Sequence, residues 1–452
     1  MTTTINNEHE KLNFSSEREQ SQVYLNSAEH EKNQGQKVLN VPNKREQNQT
    51  CLDSAEREGL RQKGNVPNLR FKEFQGEWEK CKLGDLCNVL MCKRILASQT
   101  NTEEGVPFYK IGTIGNAPDA YISKELFDDY KTKYNYPHKG EVMITCAGTV
   151  GKCVIYDGKD AYYQDSNIVW IDNLSQCISN SFLYHLLAKV DWRKLNSTTI
   201  IRIYNDDLRN LKLSYPQIEE QQKISRLLSL LDERIATQNK IIEDLKKLKS
   251  AISKHLFTRK DLLETTICLA DIATLKNGYA FQSSKYNTQG KWKVLTIANV
   301  SGERYISDDD CNCIITLPND IQDHQVLKEG DILISLTGNV GRVSLCKAGN
   351  YLLNQRVGLL LLAKNVDKEF IYQVLSSQRF ENSMIACGQG AAQMNIGKGD
   401  VESYILPYSS NANNIRMIAE ILQSYDEFII NELRVQTLLT MQKQYFLHQM
   451  FI

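Results

Sequence analysis

The chain has 452 residues, enough for about three domains at roughly 150 residues each. Hydrophobic residues make up 41% and charged residues 24%, which are the proportions of a soluble globular protein. The 54 Lys and Arg balance the 54 Asp and Glu. This neutrality excludes a histone-like protein that binds nucleic acid through bulk positive charge, and it leaves open a reader with locally placed charge.

The sequence predicts a cytoplasmic protein with no membrane segment. Residues 1–10 are polar and acidic, unlike a signal peptide. The longest apolar run, at 359–363, is far too short to span a bilayer. The twelve cysteines include no Cys-x-x-Cys pair, and no His lies at metal-ligand spacing from any of them. We therefore expect reduced thiols and no metal site.

Residues 1–67 differ in composition from the rest of the chain. They are rich in Glu, Gln, Asn and Ser, and the sequence Glu-His-Glu-Lys at 8–11 recurs at 29–32. A segment of this composition cannot bury enough apolar surface to offset the entropy lost on ordering. It is predicted to be a low-complexity, disordered tail.

The remainder of the chain is an internal duplication. The segment Lys-Gly-Glu-Val-Met-Ile-Thr-Cys-Ala-Gly-Thr-Val-Gly-Lys at 139–152 has a counterpart at 328–342, about 190 residues later. Shorter matches, such as Phe-Leu-Tyr at 182–184 with Phe-Ile-Tyr at 370–372, keep the same order. The repeat predicts two tandem units, each with a mixed α/β body of short strands and short helices followed by a long helix. Within the bodies it predicts short strands at 142–145 and 332–335 and short helices at 182–188 and 370–376.

Apolar residues at steps of three and four predict the two long helices, one after Pro216 and the other after Pro407. Polar residues interrupt both seams: Gln238 and Lys249 in the first helix, and Glu432, Gln436 and Lys443 in the second. Two such helices in one chain are expected to pack antiparallel, with the bodies at opposite ends and a pseudo-two-fold axis between them; a bundle seam inside an unrelated globular protein is the alternative. The predicted seam residues are Ile224, Leu228, Leu231, Ile235, Ile242, Leu245, Ile252 and Leu256 in the first helix, and Ile418, Leu422, Tyr425, Ile429, Leu439, Phe446 and Met450 in the second.

The glycine loops of the repeat are not phosphate-binding loops of nucleotide hydrolases. Such a loop needs glycine before its four variable residues and Ser or Thr after its Lys, but Cys146 and Cys153 stand there. Two interpretations remain: a tight turn between strands, or a basic tip where Lys152 and Arg342 face a polyanion.

Polar residues at equivalent places in the two bodies are candidates for contact with DNA, because Asn, Gln and Arg can bond base edges in the major groove. Solvated loops are the alternative. The candidates are Lys110, Thr149, Lys152, Gln164 and Arg202 in the first body, and Asn299, Asn339, Arg342, Gln355, Arg356, Gln393, Asn395 and Lys398 in the second.

No catalytic motif is found. The sequence contains no Gly-x-Gly-x-x-Gly, Gly-x-Ser-x-Gly or His-Glu-x-x-His motif, and no Pro-Pro dipeptide of the kind that amino-methyltransferases carry. Clustered carboxylates such as Asp206 and Asp207 lie in polar loops, where capping or solvation explains them. The sequence therefore predicts a protein that is not itself an enzyme.

The order of these elements resembles the specificity (S) subunit of type I restriction–modification systems. The resemblance covers about residues 65–452 and includes Asn-Val-Pro-Asn-Leu-Arg-Phe at 65–71, Gly-Glu-Trp at 76–78 and the Pro-x-x-x-Glu-Gln-Gln-Lys-Ile segment that starts at Pro216. Each long helix ends alike, with Leu256-Phe257 and Met450-Phe451. The second helix departs from the pattern, since Asn-Ala-Asn-Asn-Ile-Arg at 411–416 replaces Glu-Gln-Gln.

The resemblance implies that each body is a target-recognition domain for one half of a split, asymmetric DNA site. The helices would form an antiparallel coiled-coil spacer that fixes the gap and docks two methyltransferase (modification) subunits, which restriction subunits join. S-adenosylmethionine, ATP and Mg²⁺ would belong to those partners. The implied domains are the tail 1–67, the target-recognition domains 68–217 and 265–410, and the spacer helices 218–260 and 411–452.

Two other functions stay open at this stage: a bipartite DNA-binding regulator that acts alone, and an enzyme with its own methylation or cleavage centre. The charge distribution bears on the choice. Residues 221–260 carry ten Lys and Arg against four Asp and Glu, whereas both bodies are close to neutral. Neutral readers should bind DNA weakly alone, because neutralising phosphates supplies much of the affinity. This pattern favours a chain that reads DNA together with partners.

Overall fold

Two four-stranded antiparallel sheets with the same strand order form the centres of the two bodies. A computed structural model describes residues 64–194, 202–388 and 394–452. The sheet order is β2-β8-β5-β6 in the first body (residues 64–217) and β11-β18-β15-β16 in the second (residues 259–411). These strands are β2 Cys87–Leu90, β5 Val142–Thr145, β6 Cys153–Ile155, β8 Ile168–Asn173, β11 Ala273–Asn277, β15 Ile332–Ser335, β16 Val343–Leu345 and β18 Val357–Leu362.

The central strands of these sheets are the ones that the repeat predicts. All four residues of β5 and all four of β15 are buried, which explains why both strands are nearly continuous apolar runs. A second sheet covers each one, with order β4-β3-β7 in the first body and β13-β12-β17-β14 in the second. Its strands are β3 Val106–Tyr109, β4 Tyr121–Ile122, β7 Tyr162–Tyr163, β12 Trp292–Leu295, β13 Asn312–Ile314, β14 Val326–Leu327 and β17 Tyr351–Leu353.

A two-stranded antiparallel ribbon closes each body and leads into its long helix. The ribbons pair β1 Glu79–Lys82 with β9 Lys212–Tyr215, and β10 Thr265–Cys268 with β19 Ile405–Tyr408. The start and end of each body are thus held together. The short helices are α1 Leu83–Leu86, α2 Lys124–Lys133, α3 Asn180–Lys189, α4 Asn205–Arg209, α6 Leu269–Ile272, α7 Lys368–Leu375, α8 Gln378–Gly388 and α9 Lys398–Glu402.

The short helices predicted at 182–188 and 370–376 are present as α3 and α7, and each is capped by its own sequence. Ser179 accepts a hydrogen bond from the Phe182 amide at the start of α3, and Asp367 accepts one from the Phe370 amide at the start of α7. Both phenylalanines are fully buried. These helices connect the sheets to the long helices.

The long helices α5 (Ile218–Thr258) and α10 (Ala412–Met450) pack side by side along their length. Their contacts run in opposite directions along the chain: the Lys249 amine lies 2.6 Å from Asp426 Oδ1, and the Lys443 amine bonds Asp232 Oδ1. The pair is therefore antiparallel, and the predicted fold is confirmed. All fifteen predicted seam residues are buried or half-buried.

The polar interruptions of the seam face each other across the helix pair. Gln238 and Glu432 occupy equivalent positions, 194 residues apart, and the Gln238 side-chain amide bonds the Glu432 carboxylate. At the same offset of 194 residues, Asp232 corresponds to Asp426 and Lys249 corresponds to Lys443. The pseudo-two-fold axis thus passes near Gln238 and Glu432, with one Asp–Lys pair on each side, and these polar residues fix the helix register.

Each body packs where one long helix begins and the other ends. In the core of the first body, Leu228 from α5 is joined by Leu447 from the end of α10 and by Phe451, which directly follows α10. The Phe451 ring stacks on Phe182 with centroids 4.9 Å apart. The core of the second body contains both Phe257 from the end of α5 and Ile418 from the start of α10. The ends of the predicted seam therefore also bind the bodies.

The first body begins at Gly64, a few residues before the predicted end of the tail. Asn65 is 8% exposed, and its side-chain amide donates to the Trp78 carbonyl (2.5 Å) and to Ser214 Oγ (3.2 Å). Residues 64–67 are part of the folded unit for this reason. The remainder of the predicted tail, residues 1–63, lies outside the described residues.

His185 makes the joint between the first body and α5 sensitive to pH. It is 1% exposed, and burial lowers its pKa from 6.5 to about 4, although its Nδ1 lies 4.0 Å from Asp232 Oδ2. Between pH 6.5 and 4 the unfolded chain takes up a proton that the folded chain excludes. The free energy of unfolding should therefore decrease as the pH is lowered through this window, by up to about 1.4 kcal/mol per pH unit from this group.

The variant H185Q, which carries the residue found at the equivalent position Gln373, should lose this part of the pH dependence. Urea unfolding of both proteins at pH 7 and pH 5 measures the effect. If H185Q and the wild-type chain lose the same free energy of unfolding between pH 7 and pH 5, His185 is not the source of the pH dependence.

No helix among the described residues is long and apolar enough to cross a membrane. The eleven cysteines in the described ranges are free thiols. Within the same ranges, no group of three or more His, Cys, Asp or Glu side chains is arranged to hold a metal ion.

Candidate nucleic-acid interface

A hydroxyl group at the end of the central strand holds the glycine turn in both bodies. In the first body Thr145 Oγ1 donates to the Thr149 carbonyl and accepts from the Lys152 amide at 3.0 Å. Gly148 and Gly151 in this turn have positive φ angles of 64° and 85°. The loop is thus the tight turn between strands that the sequence offered as one of its two interpretations.

The second body repeats this turn with different residues. Ser335 Oγ donates to the Asn339 carbonyl and accepts from the Arg342 amide at 3.1 Å. Gly338 and Gly341 have φ angles of 74° and 78°. Because the hydroxyl and the glycines support the backbone, the residues between them are free to differ between the two bodies.

The substitution G151A should destabilise the first body more than G140A does. Both glycines have positive φ, so both variants incur backbone strain. A Cβ at Gly151 would also overlap the buried Trp192 ring, whereas a Cβ at Gly140 meets nothing within 4 Å. We expect the free energy of unfolding of G151A to be lower than that of G140A by about 1 to 3 kcal/mol, measured in urea. Equal values would show that the turn and Trp192 are not packed together.

Three predicted residues of the first body meet at the loop after β3. Thr149 Oγ1 donates to the Ile111 carbonyl at 3.2 Å, and the Ile111 amide donates to Gln164 Oε1 at 3.4 Å. The Lys152 amine donates to the Ile114 carbonyl at 2.5 Å. The Lys152 amine therefore supports this loop, and the structure does not show the interpretation in which that amine projects from a basic tip.

The other two predicted residues of the first body lie at the same end of its sheets. The Lys110 side chain is 40% exposed, and its amine lies 3.0 Å from the exposed Asp119 carboxylate. A DNA phosphate could take the place of Asp119 in this solvated pair. Arg202 donates to Ser166 Oγ at 3.1 Å and lies 5.8 Å from the Tyr204 ring centroid. We call these five predicted residues the loop cluster of the first body: Lys110, Thr149, Lys152, Gln164 and Arg202.

In the second body four predicted residues lie around the strand end at Leu336. The Leu336 amide bonds the Arg356 carbonyl, and Asn395 Oδ1 accepts from Thr337 Oγ1 at 3.0 Å. Asn339, Gln355, Arg356 and Asn395 are all exposed. An exposed group of two Asn, one Gln and one Arg offers the donors and acceptors that read base edges.

The remaining predicted residues of the second body are placed differently. The Arg342 Nε lies 3.6 Å from Glu381 Oε1, and the exposed Lys398 amine lies 3.6 Å from Glu402. Gln393 lies outside the described residues. Lys398 is the first residue of α9, three residues after Asn395 in the chain.

Asn299 is withdrawn from the candidates, because its side chain is engaged inside the protein. It is 6% exposed, its Oδ1 accepts from the Thr296 amide at 2.7 Å, and its Nδ2 donates to the Ser307 carbonyl at 2.9 Å. It stabilises a turn and has no group free for a base. Sequence reasoning could not distinguish a buried Asn in a loop from an exposed one.

Tyr204 is a candidate that the sequence reasoning missed. Its ring is 60% exposed and stands beside Arg202. The signal was its spacing, since residues i and i+2 of an extended segment point to the same side. An exposed aromatic ring next to an arginine suits stacking on a base or contact with a thymine methyl.

The thiols next to the first loop cluster do not supply a nucleophile. Burial raises the pKa of Cys146 and that of Cys153 to about 12, so both are protonated at neutral pH. The residues that the structure brings together are therefore hydrogen-bonding and cationic groups suited to recognition.

Comparison with known proteins agrees with this architecture. The family model described as "Type I restriction modification DNA specificity domain" matches residues 75–247 and 264–440. A Haemophilus influenzae protein with the name type I restriction enzyme specificity subunit S.HindORF215P is 49% identical over 164 residues, which are 36% of this chain and 42% of that protein. The type I restriction enzyme MjaVIII specificity subunit of Methanocaldococcus jannaschii is 25% identical over 393 residues, 79% of this chain and 89% of that protein.

The fold is also found among solved structures. The crystal structure of the type I restriction–modification system S subunit from M. genitalium matches 86% of this chain and 99% of its own length, with a TM-score of 0.53 and 17% sequence identity. At this identity the match establishes the fold alone. The two family-model matches cover most of both bodies and long helices. The chain belongs to the family of type I restriction–modification DNA specificity subunits.

Proposed function

We propose that this chain reads a bipartite, asymmetric DNA site and is the non-catalytic specificity subunit of a type I restriction–modification complex. One observation carries the proposal: the same loop cluster occurs twice, with different side chains, at opposite ends of an antiparallel helix pair. Thr149 in the first body corresponds to Asn339 in the second, and Arg202 corresponds to Asn395. Different donors and acceptors select different bases, so the two half-sites differ.

The helix pair acts as the spacer between the half-sites. The two Asp–Lys pairs that flank the pseudo-two-fold axis are 17 residues apart along α5, or about 25 Å at 1.5 Å per residue. One turn of B-DNA is about 34 Å long. A rigid pair of this length, with a body at each end, suits two half-sites that lie about one helical turn apart.

The outer face of the helix pair is the surface for partner proteins. Phe428, Leu438, Met441 and Tyr445 on α10 are between 56% and 64% exposed although they are large and apolar. Exposed apolar side chains along one helix are typical of protein interaction sites. A cleft of about 1530 Å³ between the helix pair and the second body continues this surface and is lined by basic residues, among them Lys246, Lys254, Lys347, Arg379 and Arg434.

We assign this surface to two methyltransferase subunits, one on each side of the pseudo-two-fold axis, with restriction subunits added to that core. The partners bind S-adenosylmethionine, ATP and Mg²⁺. The neutral bodies support this division, because the partners then supply the phosphate contacts that the readers lack. Such a complex works in the cytoplasm, where it meets chromosomal and incoming DNA.

DNA binding by the purified chain, alone and together with its methyltransferase subunit, tests the proposal. The chain alone should show little sequence preference, and the complex should methylate a bipartite site when S-adenosylmethionine is present. Selective binding by the chain alone, with no gain from the partner, would favour a solo regulator. Methylation by the chain alone would show a catalytic centre of its own.

A further inference from the structure

Asp426 of α10 contacts three separate parts of the molecule. It is 6% exposed, and its carboxylate accepts from the Lys249 amine of α5 at 2.6 Å, from Arg304 Nη1 at 3.0 Å and from Gln373 Nε2 at 2.7 Å. Arg304 lies in the loop between β12 and β13 of the second body, and Gln373 lies on α7 of that body. One buried carboxylate thus binds both long helices to the second body.

The arginine in this network is held in one orientation. Arg304 is 8% exposed, forms two parallel hydrogen bonds of 2.7 Å with Glu369, and lies 5.1 Å from the Tyr372 ring centroid. A bidentate Arg–carboxylate pair specifies angle as well as distance. Asp426 completes a network of fixed geometry, and we call Lys249, Arg304, Glu369, Gln373 and Asp426 the anchor network.

The first body lacks most of this network. Asp232, the equivalent of Asp426, is 33% exposed and has Lys443 as its close partner. His185 stands in place of Gln373, with Nδ1 at 4.0 Å, and the repeat places Ala120 where the second body has Arg304. At this equivalent position the ionic network of the second body is therefore the more extensive one, and the first body is held to α5 elsewhere, by the buried Arg70–Glu220 pair.

Stability alone does not account for the anchor network. Removing ionic groups from water is costly, and well-packed apolar residues of similar size often stabilise a protein equally well. A buried polar network does exclude other arrangements, because any shift leaves charges without partners. A network of this kind favours a single orientation of the second body on the helix pair.

We propose that Asp426 is a positioning residue that sets which gap between the half-sites the protein accepts. The proposal rests on the function proposed above. A change of gap by one base pair moves a half-site by about 3.4 Å and rotates it by roughly 35° about the DNA axis. A second body that is locked on the helices cannot follow such a shift, since hydrogen bonds of the network would lengthen well beyond 3.5 Å.

The test uses the full-length chain in complex with its methyltransferase subunit. The substrates carry both half-sites at the native gap and at gaps one and two base pairs shorter or longer, and the rate of methylation is measured for each. The variants are D426N, which keeps the shape of the side chain and removes its charge, and E420Q, the same change at an exposed position of α10. Thermal unfolding is recorded separately for every protein.

We expect the wild-type complex and E420Q to prefer the native gap by more than tenfold. In D426N the ratio of the methylation rate at the native gap to that at other gaps should be at least tenfold lower, and the half-site sequences should be unchanged. If D426N is insoluble, K249Q replaces it, because Lys249 supplies one of the three donors and is 17% exposed; K249Q should lose the preference in part.

A variant with a lower melting temperature but the wild-type gap profile would overturn the proposal and leave Asp426 a purely structural residue. If instead the wild-type complex methylates no bipartite site, the proposed function itself fails. The two failures are therefore distinguishable.

Discussion

Removal of seven residues from each long helix, at facing positions 239–245 and 430–436, is expected to shorten the accepted gap between the half-sites. Seven residues span about 10 Å of helix, so the gap should shorten by at most about three base pairs. Seven residues are also nearly two helical turns, and the seam therefore rotates by only about 20°. The deletions leave both flanking pairs, Asp232–Lys443 and Lys249–Asp426, in place.

The measurement is methylation by the reconstituted complex of DNA substrates with a series of gaps. The control is K240Q, which changes an exposed residue in the same segment and keeps the helix length. K240Q should retain the native gap. A double deletion that folds and methylates at the native gap would show that the helix pair does not set the spacing.

Substitution of Arg70 by Ala should cause a large loss of stability. Arg70 Nη2 lies 2.6 Å from Glu220 Oε2 and Nε lies 2.8 Å from Oε1, and the exposed fractions of the two side chains are 14% and 1%. The variant R70A leaves the Glu220 carboxylate buried without its partner at the start of α5. Breaking a buried pair in this way costs about 3 to 5 kcal/mol.

Urea unfolding at pH 7 measures this loss. R209A is the control, because Arg209 pairs with Asp206 at the surface and its removal should cost about 1 kcal/mol or less. The double variant R70A/E220Q should recover part of the stability, since the buried group is then neutral. If R70A loses no more than R209A does, the pair does not hold the first body to α5.

The strands and helices of this protein could be predicted because their signals are local. The central strands were predicted at the residues where they occur, Val142–Thr145 and Ile332–Ser335, because each is a buried apolar run after a Gly turn. The long helices followed from apolar spacing and preceding prolines. The antiparallel arrangement followed from the internal repeat, and the structure confirms it.

The contacts between distant residues could not be predicted in the same way. Gln238 and Lys249 appeared as defects of a hydrophobic seam, because their partners Glu432 and Asp426 lie more than 170 residues away. The candidate interface had the same difficulty. Asn299 and Asn339 are both polar loop residues in the sequence, and only the folded protein shows that the first is buried in a turn and the second exposed.

Sequencing of methylated bases in cells that express this chain with its methyltransferase subunit tests the central claim most directly. The account predicts methylation in one motif with two different half-sites and a fixed gap, lost when the gene for this chain is deleted. Exchange of the second body for that of a relative should change one half-site only. A contiguous or palindromic motif, or a methylation pattern that does not depend on this chain, would contradict the account.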